Sequence, residues 1–449
     1  MKSHRSRAVL ATFLLSASAL FVAAPAIAQM GGGMYSRSPP PPLPSASMPT
    51  SHPKSSSKGK LSSALGPKII DAQKAIQAKD YQGAMTQLKA LQGQATEDFD
   101  IYVINHLIFA AAVGLNDLAT AAIAVEAAAA SPAMPDADRK DLIHNALLLS
   151  ANAKQWQQAI SYGQQLAQLN SLDPQTTGVL AIAYYSMNDF AHAQQYAQQS
   201  IALAKAAGQS PDPNALQIVM SSQVKQNNQG AAEETLEQIA VQNNTPDTWA
   251  QLIGVTFGAR GMNDPIALYL YRLLTIAGAM KPNEYTEMAS LLSELGYPTE
   301  AMNVLEQGVS SGKLSSSAAG ATLAKSRRDA AIDQRSLPQI AASAEKSRTG
   351  EQDVKLGEDY WGYGRYADAE AAARRAVAKG GLKTPWEGTM LIGAAELAQG
   401  KYADSIQTLS QLAGNEAQTK TAHLWSLYAQ AKQGTSHSAA APAAPTPSP

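Results

Sequence analysis

The chain has 449 residues, no cysteine, 6% aromatic and 16% charged residues, and a formal net charge of −1. That length exceeds what one compact core organises, so several domains or an elongated array are expected. The absence of cysteine excludes disulfides, thiolate metal sites and a cysteine nucleophile, and the absence of a basic excess argues against a nucleic-acid binder.

Residues 1–28 read as a secretory signal. Lys2, Arg5 and Arg7 form a basic start, and Val9 to Val22 is an uncharged apolar stretch. Pro25 ends it, and Ala26 and Ala28 precede Gln29 with the small side chains a signal peptidase accepts. The apolar run is short for a membrane span of about 20 residues. The expectation is cleavage after Ala28, export to a periplasm or secretion beyond it, and no integral membrane segment afterwards. Residues 29–60 follow as a disordered linker, with Gly31 to Gly33, then Pro39 to Pro42 and Pro44, then a Ser/Lys-rich stretch. Residues 433–449 are expected to form a similar Ala/Pro-rich tail. Either segment serves as a spacer or as a docking peptide.

The region between them, 61–432, carries an internal repeat. A polar turn, an aromatic or Leu, two residues and a small residue recur together. Strong copies are Lys79-Asp80-Tyr81-Gln82-Gly83-Ala84, Asn188-Asp189-Phe190-Ala191-His192-Ala193, Gly364-Arg365-Tyr366-Ala367-Asp368-Ala369 and Gly400-Lys401-Tyr402-Ala403-Asp404-Ser405. Further copies end at Ala121 and Ala159, and weaker ones at Ala232, Ala267 and Ala301. The spacings run from 34 to 39, with a single gap of 68 between Ala301 and Ala369. That gap is expected to hold a degenerate unit near 316–349. Twelve residues before each small anchor lies an apolar or small residue, from Ala72 and Phe109 through Val255 to Gly357 and Gly393. Apolar or small residues follow at plus four and plus seven, on one helical face. Each unit is thus a pair of helices that approach closely at the anchor. Lys420 to Lys432 is left over as a terminal capping helix.

These units resemble the tetratricopeptide repeat family. The best copy reads Leu356-Gly357-x-x-Tyr360, Gly364-x-Tyr366-x-x-Ala369, then Ala373 and Ala376. A second reads Leu180-Ala181-x-x-Tyr184 with Asn188-Asp189-Phe190-x-x-Ala193. The first signature position lacks the family's Trp, and Gly163 and Gly308 fall inside expected helices. The resemblance implies an all-α, right-handed superhelical solenoid of about ten antiparallel helix pairs in an exported bacterial protein. It also implies a concave groove lined by the first helix of each pair. By phase, the groove candidates include Tyr185, Lys225, Trp249, Arg260, Glu294, Glu358 and Trp361, with Asp141, His144, Asn152, Gln175, Gln217 and Asn283. The Lys/Asn/Arg clamp that some members use for a C-terminal carboxylate is not matched.

Little in the sequence points to chemistry. The seven histidines form no HExxH or comparable ligand spacing, so no catalytic residue, metal site or cofactor is expected. His106 and His144 read as structural. Asp98 and Asp100, like Asp136, Asp138 and Asp141, read as helix starts. Arg327-Arg328 and Arg374-Arg375 read as solvated helix faces. The functional expectation is a periplasmic scaffold for cell-envelope assembly or maintenance that binds a polypeptide. An alternative is a carbohydrate-binding helper in polysaccharide export or cell-wall processes, stacking sugars on Tyr185, Trp249 and Trp361. An all-helical enzyme is a third reading, which would need acids or histidines converging on one cavity.

Overall fold

The computed structural model describes residues 59–439. The expected signal, nearly all of the 29–60 linker and the last ten residues lie outside the described residues. Within them the protein is entirely helical, with twenty α-helices and no strand. They are α1 Gly66–Gln77, α2 Tyr81–Gln92, α3 Asp98–Gly114, α4 Leu118–Ala129, α5 Asp136–Asn152, α6 Trp156–Gln168, α7 Pro174–Ser186, α8 Phe190–Ala206, α9 Pro213–Lys225 and α10 Gln229–Asn243. The second ten are α11 Pro246–Thr256, α12 Asp264–Ile276, α13 Pro282–Leu295, α14 Pro298–Ser310, α15 Ser316–Lys346, α16 Glu351–Gly362, α17 Tyr366–Lys379, α18 Pro385–Ala398, α19 Tyr402–Ser410 and α20 Glu416–Ala439. They form two compact units that meet in sequence between Thr235 and Leu236. No helix among the described residues is long and apolar enough to cross a membrane.

The recurrent polar turn is explained by backbone geometry. Five residues before the anchor, Lys79, Asn116, Lys154, Asn188, Asn227, Gly296, Gly364 and Gly400 all adopt the left-handed conformation, with φ between 57° and 85°. Glycine adopts it without cost and asparagine with little. The next residue caps the start of the second helix. Asp80, Asp117 and Asp189 each accept a hydrogen bond from the backbone N–H three residues on, at 2.9, 3.1 and 3.2 Å, which satisfies an otherwise orphaned helix-start donor.

The anchors pack as expected. Ala84, Ala121, Ala159, Ala193, Ala301 and Ala369 are fully buried. Ser405 takes the same place, and its hydroxyl donates to the Gly393 carbonyl twelve residues earlier at 2.7 Å. The two glycines inside helices mark close approaches. A Cβ at Gly163 would lie 2.3 Å from Leu180, and one at Gly308 would lie 2.8 Å from Tyr285. One continuous apolar core runs from Leu65 to Ala193 through the first unit.

Three features depart from the regular pattern. The segment 316–349 is not a degenerate hairpin. It is the single 31-residue helix α15, with Pro338 inside it. No residue within it takes the left-handed conformation of the other turns, so the chain never doubles back. The copy at Ala267 is displaced: its left-handed residue is Gly261, one position early, Ala267 is half-buried, and Val255 is 36% exposed. Finally, α20 contains the expected capping helix but continues to Ala439, beyond 432. It packs along α19 and also reaches α11, α12 and α18.

Candidate functional site

The sequence-derived groove positions fare differently in the two units. In residues 59–235, Asp141 and Lys225 are exposed, and His144, Asn152, Gln175, Tyr185 and Gln217 are half-buried. Tyr185 sits on α7 with its ring edge-on to Phe190 at 5.3 Å, across the turn to α8. Lys225 is the last residue of α9. His144 Nδ1 lies 3.1 Å from the Thr176 hydroxyl, so neighbouring first helices are tied together along this face.

A buried polar group also joins α3 to α5. The Tyr102 hydroxyl donates to Asp138 at 2.6 Å and lies 3.2 Å from His106 Nδ1. Burial holds His106 below its ordinary range, opposed by the charges of Asp138 and Asp141. Burial, then the hydrogen bond and charge of Asp138, push the Tyr102 phenol far upward. Tyr102 and His106 are both inaccessible, so the group holds two repeats in register. Asp138 therefore does more than start a helix. Asp100 likewise reaches back to accept from the Ser62 N–H at 2.9 Å.

In residues 236–439 half of the expected groove positions are closed by the protein itself. Trp249 is 1% exposed, with its ring edge-on to Tyr428 of α20 at 4.9 Å and its Nε1 donating to Asn244 at 2.9 Å. Trp361 and Glu358 are buried as well. The Trp361 ring packs against Tyr366 at 4.9 Å and Trp425 of α20 at 6.1 Å. Trp249 and Trp361 are core because Tyr428 and Trp425 of α20 pack against their rings, and Glu358 is core because Tyr269 and Arg272 of α12 hold its carboxylate. Arg260 is not on a first helix. It lies in the α11–α12 connection, its side chain 93% exposed and 3.9 Å from Glu416. Glu294 remains exposed near the end of α13. Asn283 is exposed and donates to Glu287 at 3.0 Å. With Trp249 and Trp361 buried, the stacking platform that motivated the carbohydrate reading is gone.

At the centre of this unit is a charged cluster that sequence reasoning missed. Arg272 of α12 is 1% exposed. Its Nε and one terminal nitrogen donate to the two oxygens of Glu300 at 2.8 and 2.6 Å. Its other terminal nitrogen contacts Glu358 at 2.6 Å, off the hydrogen-bond line. Glu358 also accepts from the Tyr269 hydroxyl at 2.6 Å. The rings of Tyr269 and Trp361 stand 5.1 and 4.9 Å from the guanidinium carbon. Burial pulls Arg272 downward, but Glu300 and Glu358 outweigh it and keep it charged. Burial also holds Glu300 above the usual carboxylate range, with Arg272 opposing. The readable signal was that α12 carries no other charge between Pro265 and Ile276; a lone arginine in so apolar a helix implies buried partners.

Beside it, α14, α15 and α16 meet at a second acidic group. Asp333 accepts from Tyr363 at 2.7 Å and from Thr299 at 3.3 Å, on the same oxygen. Asp359 is buried, and its Oδ2 has no hydrogen-bond partner. Burial, followed by the charge of Asp333, pushes its carboxyl up to about 7. Among the described residues no three Asp, Glu, His or Cys side chains are placed to hold a metal ion.

No family model matches the chain, and no curated protein matches it. Among solved structures, it is similar to one described as Naa15/Naa10 bound to HypK-THB, at 11% identity and a TM-score of 0.30, over 78% of this chain and 64% of that one. The chain thus spans under two thirds of that structure's length. It is also similar to the P58(IPK) TPR domain, at 12% identity and a TM-score of 0.22, over 83% of this chain and 99% of that one. At such TM-scores neither likeness bears on mechanism. The description of the chain as a tetratricopeptide-like helical repeat rests on its own helix pairs, buried small anchors and left-handed turns.

Proposed function

We propose that this protein is a periplasmic scaffold for cell-envelope assembly or maintenance, and that it binds an extended polypeptide along the first-helix face of residues 59–235. The observation that supports this reading is the contrast between the units. Residues 236–439 bury both tryptophans of their expected groove, Trp249 and Trp361, together with Glu358, whereas residues 59–235 leave Asp141, His144, Gln175, Tyr185, Gln217 and Lys225 at least partly accessible. A face of Asn, Gln, Tyr and one cation suits a peptide backbone and mixed side chains, because amide groups pair with amides. Tyrosine is among the residue types that dominate contact energies, and Lys225 supplies a cation on the same face. Export is supported by the sequence of residues 1–28.

The test has two arms. Fractionation of cells expressing the full chain should release a protein beginning at Gln29 with the periplasmic contents; retention in the cytoplasm refutes the location. Affinity capture from the native envelope should yield a specific protein that is lost with Tyr185→Ala plus Lys225→Glu. The exposed Glu294→Ala in the other unit should leave capture intact. Capture indifferent to the Tyr185/Lys225 pair refutes the binding face.

A further inference from the structure

Helix α15 stands alone between the hairpins α13–α14 and α16–α17, and it is packed on one side only. Its buried residues are Ala319, Ser326, Ala330, Leu337 and Ala344, spaced by seven, four, seven and seven along a single narrow stripe. The opposite face carries Arg328, Ile332, Arg335, Gln339 and Lys346, spaced by four, three, four and seven, and all are exposed. Ile332 is 59% exposed, a large apolar side chain in water between two arginines.

The carboxylates of α15 lie off this face. Asp333 turns inward to Tyr363 and Thr299, Asp329 pairs with Lys325 at 2.7 Å, and the exposed Glu345 lies about 100° round the helix from Lys346. The neighbouring Arg327 leans aside to Glu306 at 2.9 Å. Arg328 and Lys346 have no ion pair among the described residues, and Arg335 makes only a hydrogen bond to its own helix, to the Ala331 carbonyl at 3.0 Å. A cationic stripe is thus maintained on a chain whose net charge is slightly negative.

The composition of the stripe selects its occupant. Helices that lie in a membrane surface need a broad apolar face, and one isoleucine does not provide it. Guanidinium groups pair best with carboxylates, in two parallel hydrogen bonds. Arg328 and Arg335 are seven residues apart, or about 10 Å along the helix, which matches carboxylates two turns apart on a facing helix. We propose that the outer face of α15 docks an acidic amphipathic helix of a partner polypeptide, with carboxylates on Arg328 and Arg335 and an apolar side chain seated on Ile332. This surface is separate from the first-helix face of residues 59–235 and does not depend on it.

The probe is a fluorescein-labelled synthetic helix of about 20 residues, with Glu at seven-residue spacing and Leu between. A counterpart carries Lys for each Glu. Fluorescence anisotropy with the full chain should show binding of the Glu peptide at low salt, weakened by raising salt from about 0.05 to about 0.5 M. Arg328→Glu with Arg335→Glu should weaken binding at least about tenfold, and Ile332→Asp should weaken it too, about threefold or more. Because all three side chains are in solvent, far-UV circular dichroism should be unchanged. Tyr185→Ala with Lys225→Glu should leave this binding intact, so failure here and failure of the groove reading are separate results. Three outcomes overturn the proposal: no binding of the Glu peptide at low salt, equal binding of the Lys peptide, or binding unaffected by the arginine substitutions. A fourth is arginine-dependent binding to phosphatidylglycerol vesicles without peptide binding, which would make the face a lipid contact instead.

Discussion

Arg272 is the residue on which the second unit turns. Its guanidinium is held by Glu300, Glu358 and two aromatic rings, and none of these partners retains a bulk-water alternative. Removing one member of such a group leaves buried charge unpaired, at about 3–5 kcal/mol. Arg272→Met should therefore lower stability by that order in urea unfolding followed by circular dichroism. Asp359 gives a pH dependence of defined sign. Its carboxyl is held at about 7 in the folded chain, against about 4 when unfolded. The folded state binds the proton more tightly, so the stability it provides is full at low pH and is lost as pH rises from about 4 to about 7. Asp359→Asn should remove that slope. At pH 8 the variant should exceed the wild type by about 2–4 kcal/mol, and at pH 4 the two should nearly coincide.

At the scale of the helix pair, the turn governs. Eight turns place a left-handed residue five positions before the anchor, and at Lys79 and Lys154 that residue is neither Gly nor Asn. A side chain with a Cβ is strained there by about 1 kcal/mol. Lys154→Gly should therefore raise the thermal midpoint, with a gain of about 0.5–1 kcal/mol. No gain would mean that the lysine side chain makes a compensating contact. The same logic accounts for the reading at 316–349. The gap of 68 holds no second hairpin, because the chain runs on through it as one helix with no left-handed residue between Ser316 and Lys346. The uncovered face of α15 follows from that continuity, since the second helix that would have covered it does not exist.

For the molecule as a whole, α20 decides which surfaces remain available. It supplies Trp425, whose Nε1 donates to the Tyr269 carbonyl at 3.0 Å, and Tyr428, whose hydroxyl donates to the Ile276 carbonyl at 3.1 Å. Four of the five tryptophans, Trp249, Trp361, Trp386 and Trp425, lie buried in residues 236–439. Truncation before Glu416 should expose the remaining three, seen as a red shift of tryptophan emission and the loss of one step in thermal unfolding. An unshifted spectrum would show that α20 is dispensable for this core. Loss of the helix uncovers Trp249 and Trp361 only by unfolding their surroundings, so the truncated chain should gain no sugar affinity.

What the sequence determined by itself was local and periodic. Helix boundaries, small anchors and turn residues repeat every 34 to 39 residues, and each is set by neighbours within a few positions: a left-handed Asn or Gly, a capping Asp, an apolar face at plus four and plus seven. Tyr185 and Lys225 were legible as candidates because they lie in a regular stretch where phase predicts direction. What only the tertiary structure decided was which first-helix positions stay accessible. Trp249, Glu358 and Trp361 have the phase of groove residues and became core, the tryptophans against Tyr428 and Trp425 of α20 and Glu358 against Arg272 and Tyr269 of α12, all distant in the chain from the residue they cover. Periodicity reports which side of a helix a residue occupies. Burial also depends on what arrives from elsewhere in the chain, and that long-range pairing leaves no mark in the spacing of residues.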